Sequence, residues 1–166
     1  MAILPIKIYP DPILRQKTEE VKNFNADLRK FLDSIAATMY EANGIGLASP
    51  QVGISKRVAV ADVSREGQER IDLVNPQIVW RDGSVPSEEG CLSIPEYRET
   101  IKRSREVIVQ ARDADGKEFE LRAEGLLAIC LQHEIDHLDG VLFIDHLSRL
   151  KRELFKRWLK KQDTLE

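Results

Sequence analysis

Apolar residues recur along the chain at two different spacings, and each spacing predicts its own kind of element. Leu28, Phe31, Leu32, Ile35 and Met39 fall three or four residues apart. This is the repeat of a helix with one buried face. Asn25 stands where a side-chain cap is expected, and Asn43-Gly44 is a natural stop. Before this helix, Tyr9-Pro10-Asp11-Pro12 places two prolines within three residues and predicts an extended or turning segment. From Arg57 to about Arg122 the helical spacing disappears, and short β-branched runs replace it: Val58 to Val63, Ile71 to Val74, Ile78 to Trp80, Val107 to Ala111 and Phe119 to Arg122. Turn chemistry separates them at Arg65-Glu66-Gly67, Asn75-Pro76, Arg81-Asp82-Gly83 and Asp113-Ala114-Asp115-Gly116. The last pair of runs, joined across Asp115-Gly116, is the clearest hairpin. Helical spacing returns from about Glu124 to Leu138 and stops at Gly140. A final helix over about 148–161 is expected to carry Leu147, Leu150, Leu154 and Trp158 on one stripe. Helix, strands and then helices, without βαβ alternation, predict an α+β fold.

Composition narrows the class. The 166 residues fit one domain, 42% hydrophobic and 32% charged residues suit a globular protein, and the net charge of −3 excludes a surface that is basic throughout. No apolar run approaches the ~20 residues that cross a bilayer. The start of the chain lacks the marks of a signal peptide, so a cytoplasmic location is expected. Two cysteines accompany only three histidines. A chain of this size does not need a disulfide, so a metal site is the first thing to test.

The strongest chemical signal is His133-Glu134-Ile135-Asp136-His137. On a helix, residues four apart lie about 40° apart around the axis, so both imidazoles can reach one ion. Glu134 beside them can accept a proton from water activated by that ion and later return it. The competing reading is a polar helix face whose histidines satisfy core hydrogen bonds. Three protein ligands are expected at a catalytic site, so one more donor is required. Phe143 occupies the place where one protease pattern needs a histidine; Glu153 reads more simply as a solvated charge, and His146 has no motif around it. Cys91, in Glu88-Glu89-Gly90-Cys91-Leu92-Ser93, competes better, because a thiolate is a strong ligand for zinc or iron. Cys130, one turn before His133, has apolar neighbours and reads as a pocket wall. The third signal is Gly44-Ile45-Gly46-Leu47-Ala48-Ser49-Pro50-Gln51, a glycine-rich stretch that can pack closely against a ligand and ends on an amide donor.

Taken together and in order, these three segments resemble the signatures of the peptide deformylase family, and Pro10-Asp11-Pro12-Ile13-Leu14-Arg15 is similar to the family's start. The resemblance covers almost the whole chain. One departure is Ser49, where the family more often has alanine. The resemblance implies an enzyme that removes the formyl group from the N-terminal formylmethionine of nascent polypeptides and releases formate. Cys91, His133 and His137 would be the metal ligands, with water as the fourth, and Glu134 the general base and acid. The Gln51 amide and the Leu92 N–H would stabilise the oxyanion. The implied ion is Fe2+, with nickel, cobalt or zinc as substitutes. Ile45, Gly46, Leu126, Ile129 and Cys130 are expected to line the methionine pocket; helix geometry puts the last three on the His133 side. Asp136 is expected to partner an arginine rather than a metal. The expected architecture is α+β, with antiparallel sheets around a central metal-binding helix, an N-terminal helix and a C-terminal helix, as a single domain over 1–166.

Two rivals stand beside this reading: a zinc endopeptidase using His133 and His137, and a structural metal module without catalysis. The charge sum also conceals an asymmetry. Residues 149–161 hold seven Lys or Arg against one Glu, so a net −3 leaves −9 on the rest of the chain. The basic helix is either a solvated face or an electrostatic dock on ribosomal RNA. The resemblance further suggests a monomer.

Overall fold

In the structure, a computed structural model, residues 2–64 and 67–164 are described; the expected turn at Arg65-Glu66 lies outside the described residues. After a short 3-10 turn at Pro12–Arg15, helix α1 spans Ala26–Glu41. Its N-terminus is capped by Asn25, whose side chain accepts the Leu28 N–H at 3.0 Å. Strand β1 (Gly46–Ala48), a 3-10 turn (Ser49–Val52) and strands β2 (Val58–Ala61) and β3 (Ile71–Asp82) follow. Next come β4 (Val85–Cys91), β5 (Ile94–Arg103), β6 (Glu106–Arg112) and β7 (Glu118–Glu124), then α2 (Gly125–Leu138), a 3-10 turn (Phe143–His146) and α3 (Arg149–Thr164). Among the described residues no helix is long and apolar enough to cross a membrane.

Five strands form an antiparallel sheet in the order β1-β2-β3-β6-β7, and β4 pairs with β5 in a second, two-stranded sheet. Strand β2 shows how the larger sheet is sandwiched. Successive side chains point to opposite faces. Val58 and Val60 pack with Leu28, Leu32, Ile35 and Met39 of α1, whereas Ala59 and Ala61 pack with Leu131, Ile135 and Leu138 of α2. Alanines on the α2 side let that helix lie close to the sheet, and it touches all five strands. The α+β architecture around a central helix is therefore as expected.

Three expectations need correction. The break predicted at Asn75-Pro76 is a bulge inside one continuous strand, with register shifts between Val74 and Gln77 and between Ile78 and Trp80. Asn75 takes φ 52°, and its side-chain amide makes two hydrogen bonds with the Val21 backbone, at 2.8 and 2.9 Å, so the interruption loses little bonding. Strands β4 and β5 were not expected, because charged residues interrupt their pattern. The stripe expected on the last helix holds only in part: Leu147 and Trp158 do pack into the core, but Leu150 is 70% exposed and Leu154 48%, and Phe155 and Leu159 complete the face turned toward Tyr97, Phe143 and Ile94.

Candidate metal centre and active site

Two elements bring the chemistry together. Helix α2 carries His133, Glu134 and His137 on one face, and Cys91 ends β4 at the tight turn into β5. Cys91 Sγ lies 3.4 Å from His137 Nε2, and the two Nε2 atoms are 3.1 Å apart. All three donor atoms lie within 4.8 Å of one another. For metal–nitrogen bonds of about 2.0–2.1 Å and metal–sulfur bonds of about 2.3 Å, the edges of a tetrahedron are ~3.3–3.6 Å. The spacing thus suits a single ion, and a thiolate with two imidazoles suits zinc or iron.

Glu89 sits on the same strand face as Cys91, two residues earlier. Its carboxylate is 5% exposed and accepts from Arg103 through both oxygens, each at 2.8 Å. Burial alone would raise its pKa, but Arg103 and His133 outweigh burial and bring it down to about 2. Glu89 is then ionised and can only accept, so the 3.0 Å contact with His133 Nδ1 makes that nitrogen the donor and leaves Nε2 as the ligand atom. Burial lowers the pKa of His137, which favours the neutral form a ligand must take.

Glu134 is 4% exposed, and its Oε1 has no hydrogen-bond partner among the described residues. Burial pushes its carboxyl up to about 7, which suits a group that must take and return a proton near neutral pH. Gly46 makes room for it, since a Cβ there would stand 2.5 Å from Glu134 Oε2 and 2.9 Å from Cys130 Sγ. Gln51 is fixed from behind: its Oε1 accepts the Ala48 N–H at 3.0 Å, which turns Nε2 toward Ser93 Oγ at 3.2 Å and Cys91 Sγ at 3.5 Å.

A cavity of about 480 Å³ opens in front of these groups. Ile45, Gly46, Leu126, Ile129 and Cys130 line it, together with Leu92. Leu126 is 51% exposed at its rim. Cys130 donates to Ile45 O, and burial raises its thiol pKa, as fits a wall rather than a ligand. Glu153 pairs with Lys156 on the exposed side of α3, and His146 contacts Asp136, so neither joins the cluster. Asp136 also accepts from Arg103 at 2.6 Å, as expected for an arginine partner. The sequence reading gave no role to Glu89 or Arg103. Period two in a strand was the available signal for Glu89, because it puts residues 89 and 91 on one face. Arg103 had no such signal.

Comparison with known proteins places the chain. A family model described as polypeptide deformylase matches residues 3–153. The peptide deformylase of Thermodesulfovibrio yellowstonii is 54% identical over 96% of this chain and 98% of its own, and that of Syntrophobacter fumaroxidans is 55% identical over 97% and 96%. The crystal structure of a peptide deformylase from Legionella pneumophila superposes with a TM-score of 0.93 at 46% identity, covering 99% of this chain and 97% of that one. The chain belongs to the polypeptide deformylase family, and it is an enzyme of that family, a hydrolase that removes the N-terminal formyl group of peptides.

Proposed function

We propose that this enzyme deformylates the formylmethionine of nascent chains with one divalent ion, Fe2+, held by Cys91, His133 and His137, and with Glu134 as the proton carrier. Nickel, cobalt or zinc can occupy the same donor set. The observation that carries this reading is the convergence of three ligand atoms, one from β4 and two from α2, beside the buried Glu134 carboxyl, whose Oε1 has no hydrogen-bond partner among the described residues. A bound ion supplies Lewis acidity, which eases deprotonation of the attacking water and polarises the formyl carbonyl. Glu134 takes the proton of that water as its oxygen adds to the formyl carbon. It then delivers the proton to the formamide nitrogen as the C–N bond breaks, so that a free amine and formic acid leave, the acid losing its remaining proton to solvent as formate. Gln51 Nε2 and the Leu92 N–H donate to the oxygen on which charge develops. The orientation that Ala48 imposes on the Gln51 amide supports this role. Ile45, Gly46, Leu126, Ile129 and Cys130 receive the methionine side chain.

The same proposal makes residues 1–166 one catalytic domain working as a cytoplasmic monomer. It also assigns α3 to ribosomal RNA, supported by the surplus of Lys and Arg over 149–161. Deleting the chain from Arg149 onward and finding salt-dependent ribosome binding intact would refute that assignment.

The deciding experiment incubates anaerobic, Fe2+-loaded protein with formyl-Met-Ala-Ser and assays formate. Formate release by the native chain, with loss of both metal and activity in Cys91→Ala, is the expected result. No formate from the loaded protein, or full metal content in Cys91→Ala, would overturn the reading and favour the histidine-only alternatives.

A further inference from the structure

The ligands come from two separate elements, Cys91 from β4 and both histidines from α2, and Arg103 is the side chain that ties those elements together beside the metal centre. Its Nε and Nη2 hold both oxygens of Glu89 on β4, while Nη1 holds Asp136 on α2 at 2.6 Å. The side chain is 4% exposed, and its partners Glu89 and Asp136 are 5% and 18% exposed. Its own backbone is pinned by the next residue, because Ser104 and Gln132 of α2 exchange two hydrogen bonds, each at 2.9 Å. Asp136 is steadied from outside by His146 at 2.9 Å.

Two details separate this arrangement from a buried ion pair that merely fastens a sheet to a helix. Glu89 Oε1, the oxygen that receives Arg103 Nη2, is also the oxygen that receives His133 Nδ1. A shift of the guanidinium therefore moves the atom that fixes the ring and tautomer of a ligand. Asp136 lies between His133 and His137 in sequence, so the other arm of the fork holds the turn of helix that carries both imidazoles. The planar fork makes three directed bonds at once, which no other side chain can reproduce.

We propose that Arg103 is a positioning residue for the metal centre, acting through Glu89 on His133 and through Asp136 on the α2 turn that carries His133 and His137. This rests on the metal reading given above. Groups behind metal ligands typically change metal affinity by about 10–100-fold.

The test titrates full-length, metal-free protein with Co2+ and records its visible bands, for the native chain, Arg103→Met and Glu89→Gln, alongside the melting temperature of each metal-free protein. Arg103→Met leaves the buried Glu89 and the half-buried Asp136 without their guanidinium, so Glu89→Gln, which keeps an acceptor for His133, is the second variant. Expected are normal Co2+ binding by the native chain, a loss of affinity of about 10–100-fold in each folded variant and displaced cobalt bands. Native affinity and bands in a folded Arg103→Met protein, or in Glu89→Gln should Arg103→Met fail to fold, overturn the proposal while the metal reading stands. Failure of the native chain to bind Co2+ overturns the metal reading and this proposal with it.

Discussion

Gly46 and Glu134 share one small volume: a Cβ at residue 46 would stand 2.5 Å from Glu134 Oε2 and 2.8 Å from its Cδ. The carboxyl reaches its place only because β1 runs past it without a side chain. Gly46→Ala should therefore displace Glu134 and lower kcat by about 10²-fold, the usual cost of moving a reacting group by about 1 Å. Steady-state kinetics on the metal-loaded variant would check this. An unchanged kcat would mean that Glu134 does not need the position it occupies.

Leu126 stands at the rim of the cavity, on the His133 side of α2. A carboxylate there disfavours an apolar side chain in the pocket. Leu126→Glu should raise KM for formyl-methionyl substrates and erode their advantage over substrates with a polar first residue, by about 10-fold or more. An unchanged preference for methionine would remove Leu126 from the pocket.

Ser49 is fully buried, and its hydroxyl donates to Ile54 O at 2.6 Å. Alanine at this position leaves that carbonyl without its side-chain donor. Ser49→Ala should cost about 1 kcal/mol and about 2–4 °C in melting temperature, with kcat/KM unchanged. Calorimetry beside a formate assay separates the two effects.

Asp62 is fully buried and accepts from the Ser64 hydroxyl, from the Tyr40 hydroxyl at 2.5 Å and from the Ser64 and Gly67 N–H groups at 2.9 and 3.0 Å. Burial opposes its charge, but these bonds prevail and hold its pKa below the ordinary value. Tyr40 is pushed up to about 12 by burial and Asp62, so it remains a donor at neutral pH. A depressed folded pKa stabilises above the unfolded value, about 3.9, and that contribution is lost as pH falls through the folded value. Asp62→Asn should be about 1–3 kcal/mol less stable at pH 7, with the gap closing below pH about 4. Urea midpoints across that range would reveal a constant gap if the carboxylate charge were irrelevant.

How far the chain disclosed all this depends on the distance in sequence between interacting residues. His133 and His137 were legible because helix geometry alone brings residues four apart to one face, and Glu134 because it stands beside them. Asn25 and Gly140 were legible as local backbone devices, and Gly140 takes φ 74° as its place after α2 suggests. Cys91 stood out as a candidate ligand by its own chemistry, but its place in one set with His133 and His137 required a family resemblance, since nothing local ties residue 91 to residue 133. Strands β4 and β5 stayed hidden because their inward positions include Glu89 and Arg103, which satisfy each other across paired strands and leave no apolar alternation to read. Part of the α3 face was misread for a related reason. Period alone allowed Leu150 and Leu154, and it was the aromatic cluster of Tyr97, Phe143 and Phe155 that decided which side is buried.

The central claim is that Glu134 carries the proton at a metal centre built by Cys91, His133 and His137. Its most direct test is the rate of formate release from formyl-Met-Ala-Ser by Glu134→Gln, measured with metal content on the same samples. Native metal content with activity lower by about 10²–10⁴-fold is the predicted result. Native metal content with activity near that of the unaltered enzyme would contradict it.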